Sequence, residues 1–470
     1  MSEDRPTARV IPFPSRSEPP PKIDHIAIVG AGFSGTLQAI NLLRHDGPRV
    51  TLIERRGAFG RGVAYSTPNP AHLLNVRAAN MSALPDVPDH FVRWLAARGH
   101  GTTGGFATRR DYGDYLAELL RTTQEKAPGR LTLLHDSATD VSLRPDRVDL
   151  GMDSGATLTA DAAVLALGNL PPHHPPGVDG AALPADLYTA DPWSDDLTAG
   201  LRVDDTVLIL GTGLTMVDAV LTLDSAGFGG RIVALSRRGL MPRAHADSVP
   251  KPLATRPAGH GADLLATVRA RADAIGWRAA VDELRPHTQG MWLAAPVEEQ
   301  RRFLRHLRPW WDVHRHRLAP AVAERLQTLI DDGRLEIAGG RIAACAARDG
   351  GLDVDFVPRG GLTAARHLRV RRLINCTGPQ GDVLRTREPL LRLLLASGQI
   401  RADPHRLGID VTANAETIDV NGRANPRLLA LGPMTRGAFW EIVAVPDLRR
   451  QTWSVARRLS NAHWVEGEGL

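Results

Sequence analysis

A chain of 470 residues, 43% of them hydrophobic and 23% charged, is long enough for two packed domains with separate cores. The formal charge of +5 rests on arginine, since lysine occurs only at Lys22, Lys126 and Lys251, and the arginines are interspersed with acids. That pattern describes a solvated mixed-charge surface and argues against a nucleic-acid face. No apolar run approaches the ~20 residues that span a bilayer, and no apolar segment follows the N-terminal charges, so a cytoplasmic protein without a membrane partner is expected. Cys345 and Cys376 lie far apart with no Cys-x-x-Cys pair, which argues against a redox dithiol and a thiolate zinc site; both read as small buried residues.

Residues 1–23 are rich in Pro, Ser and Arg and read as a disordered tail. A strand over His25–Val29 then runs into Gly30-Ala-Gly32-Phe-Ser-Gly35, a helix from Ser34 to Arg44 and a strand from Val50 to Glu54, the start of a βαβ unit. Helical periodicity returns at 88–98 and 112–122. An apolar strand closes on Gly168, and the proline-rich stretch from Leu170 to Pro176 carries the chain into a new unit. Residues 24–200 are thus the first part of one dinucleotide-binding domain.

The second unit, residues 201–370, opens with a strand over Thr206–Leu210, the turn Gly211-Thr-Gly213-Leu-Thr-Met216, a helix to about Ser225 and a strand ending at Ser236-Arg-Arg. Residues 262–331 read as a helical insertion, with helices at 297–307 and 320–330. The run from Arg372 to Gly378 repeats the pattern that closes on Gly168, so the chain is expected to re-enter the first domain there. A strand to Gly432 and a helix from about Val445 complete residues 371–460, and 461–470 form a second tail. The expected fold class is α/β, with two Rossmann-like dinucleotide-binding domains, the second inserted in the first, and a helical insertion.

A Gly-x-Gly-x-x-Gly turn carries chemistry when it joins a strand to a helix. Gly30 permits the tight turn, Gly32 lets backbone approach a pyrophosphate, and Gly35 lets the helix pack close. Glu54, about twenty residues on, is placed to accept hydrogen bonds from ribose hydroxyls, as an FAD site requires. In the second turn Met216 replaces the third glycine. Ser236, Arg237 and Arg238 stand where Glu54 stands in the first, a set suited to the 2′-phosphate of NADPH. Two solvent-exposed arginines after a strand remain the alternative reading.

Beyond these turns, the segments Gly62-Val-Ala-Tyr-Ser-Thr67, His72-Leu-Leu-Asn-Val76, Met81-Ser-Ala-Leu-Pro-Asp86, Val207 to Asp218, Ser236 to Arg243, Asn375-Cys-Thr-Gly-Pro379 and Gly432 to Ile442 resemble a bacterial family of FAD/NAD(P)-binding proteins with two dinucleotide-binding domains. That family is related to N-hydroxylating flavoprotein monooxygenases of the nitrosuccinate-forming aspartate N-monooxygenase type. The resemblance implies FAD and NADPH as cofactors, molecular oxygen and a small amine or amino acid as substrates, and hydroxylation through a C4a-(hydro)peroxyflavin. Asn75, beside the flavin, and Arg436, on a substrate carboxylate, are the candidate catalytic residues. The candidate cofactor contacts are Gly30, Gly32, Phe33, Ser34, Gly35, Glu54, Arg55, His72, Asn75, Gly168, Gly211, Gly213, Leu214, Thr215, Ser236, Arg237, Arg238, Gly378 and Gly432.

The chain lacks the Phe-x-Gly start of the Baeyer–Villiger fingerprint, and Gly432-Pro433 replaces the Gly-Asp common in related flavoproteins. A salt bridge from Arg436 to Glu441 or Asp447 is the structural alternative to its carboxylate role. His306, His314 and His316 sit near Trp310 and Trp311, but the last two fall on different helix faces, so no metal site is expected. Two other functions need the same pair of nucleotide sites: a flavin reductase serving a quinone or protein acceptor, and a non-catalytic redox-sensing flavoprotein.

Overall fold

The computed structural model describes residues 23–460 apart from 45–46, 101–103, 194–195, 248–252 and 361–363. The expected tails at 1–23 and 461–470 therefore lie outside the described residues, except Ile23, which packs against the first core.

Sixteen strands are described: β1 His25–Val29, β2 Arg49–Ile53, β3 Leu131–Leu134, β4 Ala138–Leu143, β5 Val148–Met152, β6 Thr157–Ala160, β7 Ala162–Leu165, β8 Tyr188–Thr189, β9 Thr206–Leu210, β10 Arg231–Ser236, β11 Leu335–Arg348, β12 Gly351–Pro358, β13 Arg366–Val370, β14 Arg372–Asn375, β15 Glu416–Ile418 and β16 Ala424–Ala430. The helices are α1 Phe33–Arg44, α2 His90–Ala96, α3 Arg109–Lys126, α4 Leu214–Ser225, α5 Gly261–Ile275, α6 Trp277–Leu284, α7 Thr288–Ala294, α8 Val297–Arg302, α9 Arg308–Arg315, α10 Pro320–Asp331, α11 Pro389–Ala396 and α12 Val445–Leu459.

The first sheet has the order β15-β16-β7-β1-β2-β3, parallel except for β15. Its central strand, Ile26-Ala-Ile-Val29, is buried on both faces, which is why it reads as an unbroken apolar run. Helices α1, α3 and α12 cover one face through the core around Ile26, Leu37, Tyr112 and Leu448. The other face, with Ala27, Val29 and Leu165, packs on the antiparallel meander β4-β5-β6 and on α11.

The second sheet runs β13-β12-β11-β10-β9-β14-β8, parallel from β11 to β8, with the antiparallel β12 and β13 at one edge. Three boundaries differ from the sequence expectation. β14 pairs with β9 and β8, so Arg372–Asn375 lies within the second sheet and does not re-enter the first domain. β8, at Tyr188–Thr189, already belongs to the second unit although it precedes residue 201. Finally, α10 buries Leu326 and Leu329 in the second core and is the crossover between the parallel strands β10 and β11, so the added helices run from α5 to α9 only.

The chain crosses between units after β7 and again after β14, and the Leu170–Gln380 bridge ties the two crossings together. Among the described residues, no helix is long and apolar enough to cross a membrane.

Candidate dinucleotide cradles and the buried charge cluster between them

At the end of β1, Gly30 has φ +101°, and a Cβ there would lie 2.5 Å from the Ala166 carbonyl oxygen at the end of β7. A Cβ on Gly35 would lie 1.8 Å from the Gly30 oxygen, so the closeness of α1 to β1 demands glycine at both positions. Gly32 is different: the nearest atom to a Cβ there is the Gly62 Cα at 3.7 Å, so one face of the turn stays open. No acidic side chain occupies the first turn of α1, leaving its N-terminal dipole for an anion. At the end of β2, Glu54 accepts from the backbone N–H groups of Ala31 and Arg56, both at 3.0 Å, which aims its carboxylate along the turn.

The neighbouring candidates divide by their contacts. Phe33 is buried against Tyr65 and Tyr112, with centroids 6.3 and 6.2 Å away. Ser34 is buried beside Gly432, whose φ is +81° and whose Cβ would lie 2.6 Å from Ser34 Oγ, so the last glycine loop closes onto the first turn of α1. Arg55 points away to pair with Glu388 at 2.8 Å.

The second cradle repeats the design. Gly211, φ +109°, would bring a Cβ to 2.1 Å from the Cys376 carbonyl oxygen, whereas a Cβ on Gly213 would meet nothing within 4 Å. Leu214 and Thr215 form the first turn of α4, again without an acid, and Met216 is fully buried in the second core where a third glycine would leave a gap. Ser236 departs from expectation. Thr212 spends its proton on the Leu240 carbonyl, so Ser236 donates its own to Thr212 Oγ1 at 2.8 Å and accepts from Gly239 N–H at 3.0 Å. Its hydroxyl proton thus stitches the turn and is not available to a phosphate; of the three residues expected there, Arg237 is exposed and Arg238 half-buried. Gly168 and Gly378, at φ +70° and +93°, have no atom within 4 Å of a Cβ position. The crossing segments after them border a cleft of about 320 Å³ lined by His173, His174, Gln380 and Arg385.

The stretch from His72 to Asn75 lies between the cradles. His72 does not face a cofactor: its Nε2 donates to the Asp218 carbonyl at 3.0 Å and to Thr222 Oγ1 at 3.1 Å, and its Nδ1 accepts from Thr67 Oγ1 at 2.8 Å. Burial holds its pKa below the usual value, consistent with this neutral tautomer. Asn75 is half-buried; its carbonyl accepts from His245 Nε2 at 3.0 Å, and its side-chain amide has no partner among the described residues. It lines a small void together with Leu214, the first residue of α4, so the loop carrying Asn75 touches the start of the second cradle.

Helices α7 and α9 dock on the segment after Gly432. Trp292 donates from its indole to the Gly437 carbonyl at 2.8 Å and stacks on Trp440 at 4.7 Å, while the Gln289 side chain pairs with the backbone of Ala438 and Trp440. Charged groups gather at this junction. Arg315 reaches Glu441 at 3.2 Å, Arg285 reaches Asp447 at 3.6 Å, and Arg308 reaches Asp312 at 3.4 Å. These pairs take the carboxylates that could have neutralised Arg436, whose nearest acid is Asp312 at 4.0 Å.

Arg436 lies 4.5 Å from the Trp440 ring centroid, its Nε is buried without a hydrogen-bond partner, and burial reinforced by Arg308 brings its pKa down to about 10. Burial raises the Asp312 and Asp447 carboxyls above the usual range, and it drives His316 well below its own, with Arg315 adding to that effect. Arg315 Nη2 is likewise buried without a hydrogen bond, whereas Arg285 Nη2 with Asp447 Oδ2 and Arg315 Nε with Glu441 Oε2 meet as ion pairs without hydrogen-bond geometry. A buried polar atom with no partner costs about 1–3 kcal/mol unless water or a ligand satisfies it.

His314 donates from Nδ1 to the Trp310 carbonyl, and among the described residues no group of three or more His, Cys, Asp or Glu is placed to hold a metal. Cys376 is buried, and burial raises its thiol pKa; Cys345, expected to be buried, is partly exposed on β11. The Arg285, Arg308 and Arg315 pairs were not expected, because arginines interspersed with acids along the whole chain read as a solvated mixed-charge surface.

The open face of Gly32, the free N-terminus of α1 and the Glu54 carboxylate fit the ADP half of FAD, and Gly213, α4 and the two arginines fit NADPH. Residues 27–170 match the model of the FAD-NAD(P)-binding family. This part of the chain is an FAD/NAD(P)-binding domain. Over 141 residues the chain is 33% identical to an L-aspartate N-monooxygenase (nitrosuccinate-forming) of Streptomyces cremeus, a stretch covering 26% of this chain and 19% of that relative's length.

Two solved structures are similar over nearly the whole chain. One is L-lysine 6-monooxygenase from Pseudomonas syringae, with a TM-score of 0.65 at 16% identity, covering 94% of this chain and 100% of that one. The other is an ornithine hydroxylase from Pseudomonas aeruginosa, with a TM-score of 0.63 at 14% identity, covering 93% and 99%. The likeness shows that the two-domain fold of those enzymes extends over more than nine-tenths of this chain.

Proposed function

We propose that this protein is an FAD- and NADPH-dependent monooxygenase that N-hydroxylates a small amino acid. The net reaction is R-NH2 + O2 + NADPH + H⁺ → R-NHOH + H2O + NADP⁺. The observation that carries the reading is Arg436: a buried guanidinium lacking a close carboxylate, on the loop that closes onto the FAD cradle through Gly432 and Ser34. A substrate carboxylate would form the charge-assisted pair that the protein does not supply. The named activities of the aspartate, lysine and ornithine enzymes agree with an amino-acid substrate.

Bound flavin would supply two-electron reduction by NADPH and activation of oxygen. The residues of this chain do the remaining work. Gly32 and the start of α1 hold the pyrophosphate, and Glu54 orients the ribose. Arg237 and Arg238 receive the 2′-phosphate. Asn75 offers an unpaired amide beside the junction of the cradles, while Trp292 and Trp440 exclude water from the substrate side. A thiol-disulfide reductase is disfavoured because the two cysteines form no Cys-x-x-Cys pair and Cys376 is buried.

The test is a search for the product. The FAD-loaded protein is incubated with NADPH, oxygen and in turn L-aspartate, L-ornithine and L-lysine, and the hydroxylamine is quantified against NADPH consumed. Near-stoichiometric hydroxylamine with one of these supports the proposal. If all NADPH oxidation ends as hydrogen peroxide with every amine, the reductase reading replaces it.

A further inference from the structure

Asp218 is an acid in the apolar run Met216 to Leu221 of α4, only 6% exposed, with no place in either cradle. Its partner is Arg109 at the start of α3 in the other domain, with Nη2 2.8 Å from Asp218 Oδ2 and both side chains largely buried. The backbone N–H of Arg109 donates to the His72 carbonyl at 2.9 Å, and the pairing of Leu73 with Thr108 and of Leu74 N–H with the Ala107 carbonyl makes residues 72–74 and 107–109 one ribbon. His72 returns to the same turn of α4 through the Asp218 carbonyl and Thr222. One turn of one helix is thereby gripped from two directions.

We infer that Arg109, Asp218 and His72 are positioning residues that set the distance between the two cradles. The helix they grip begins at Gly213-Leu214, and the ribbon they grip it with ends at Asn75, which lines the same void as Leu214. An ion pair with two added hydrogen bonds resists sliding in a way that the apolar contacts of Ala71 and Leu73 with the second core do not, because hydrogen bonds are directional. A hydride donor displaced by even 1 Å transfers about 100-fold more slowly. The inference rests on the reading of the two cradles as FAD and NADPH sites.

The test has one arm without cofactor and one with it. In the cofactor-free protein, Arg109→Ala should accelerate amide hydrogen exchange about tenfold at residues 72–76 and 214–222, leaving β1, β2 and β10 at wild-type rates. In the FAD-loaded protein, the same substitution and the nearly isosteric Asp218→Asn should lower the limiting rate of anaerobic flavin reduction by NADPH about 10- to 100-fold at unchanged FAD content. Arg109→Lys should restore part of that loss. Wild-type exchange in both segments, or a wild-type reduction rate per bound flavin in both variants, overturns the inference. Failure of NADPH and NADH to reduce the wild-type flavin would instead sink the proposed function, and the exchange arm would still decide whether the grip exists.

Discussion

Replacing Arg436 with methionine separates a ligand-binding guanidinium from a structural one. The side chain is one of four partly buried arginines facing three carboxylates, and it is the one whose nearest acid, at 4.0 Å, is already paired with Arg308. Methionine keeps most of the volume against Trp440 and removes the surplus cation, forfeiting a cation–π contact of about 1 kcal/mol. Relief of an unsatisfied buried nitrogen offsets that loss at about 1–3 kcal/mol, so the thermal midpoint should hold or rise slightly. Binding of a carboxylated amine should suffer far more. Removing one partner of a buried charge pair costs about 2–5 kcal/mol, which at 1.4 kcal/mol per decade raises KM by roughly 30- to 4,000-fold. The assay is substrate-dependent hydroxylamine formation alongside a thermal melt of the FAD-loaded protein. A midpoint lowered by several degrees with KM unchanged would refute the reasoning and make Arg436 a structural residue.

Gly30→Ala and Gly211→Ala force a Cβ to within 2.5 and 2.1 Å of backbone oxygens at positive φ. The expected loss is about 1–3 kcal/mol from the dihedral alone, with FAD content falling in the first variant and NADPH affinity in the second, read by flavin absorbance and nucleotide titration. Converting Arg237 and Arg238 to serine together should weaken NADPH by about 10- to 100-fold through loss of charge-assisted hydrogen bonds and leave NADH unchanged; equal losses for both nucleotides would speak against 2′-phosphate recognition. Acid should destabilise the fold by protonating the unfolded chain at His72, His245 and His316, whose folded pKa values burial depresses below 6.5. Their contribution is present above pH 6.5 and lost as pH falls through the lower folded values, so the urea midpoint should decline from pH 7.5 to more acidic buffers. The raised carboxyls of Asp218, Asp312 and Asp447 work in the opposite sense at lower pH, because their folded forms take up protons first. A midpoint that does not decline as the pH first drops below 6.5 would contradict the histidine assignment.

Much of the first cradle could be read from local pattern. Gly30, Gly35 and Glu54 stand where the strand-turn-helix signature puts them, since each answers to backbone geometry within one βαβ unit. Ser236 misled for the converse reason: a hydroxyl at a strand end can serve a ligand or its own turn, and the choice depends on Thr212, Leu240 and Gly239 closing around it. His72 is a cofactor contact only by the resemblance of the segment His72 to Val76, and its partners lie at Asp218 and Thr222, on a helix that no local pattern connects to it. Asp218 enters the sequence reading only as the end of a family-like segment, and nothing local links it to its partner Arg109.

From sequence alone came the number of nucleotide-binding units, their order, and the glycine and acid positions that shape the first of them, because strand periodicity and turn stereochemistry act over a few residues. Tertiary structure alone decided that β14 belongs to the second sheet, that α10 is a crossover, and that the arginines around α9 face Glu441, Asp447 and Asp312. A buried parallel strand presents the same apolar run whichever sheet receives it, and an arginine presents the same charge in solvent or in a cluster. What distinguishes these cases is the set of groups brought within a few ångströms by distant parts of the chain.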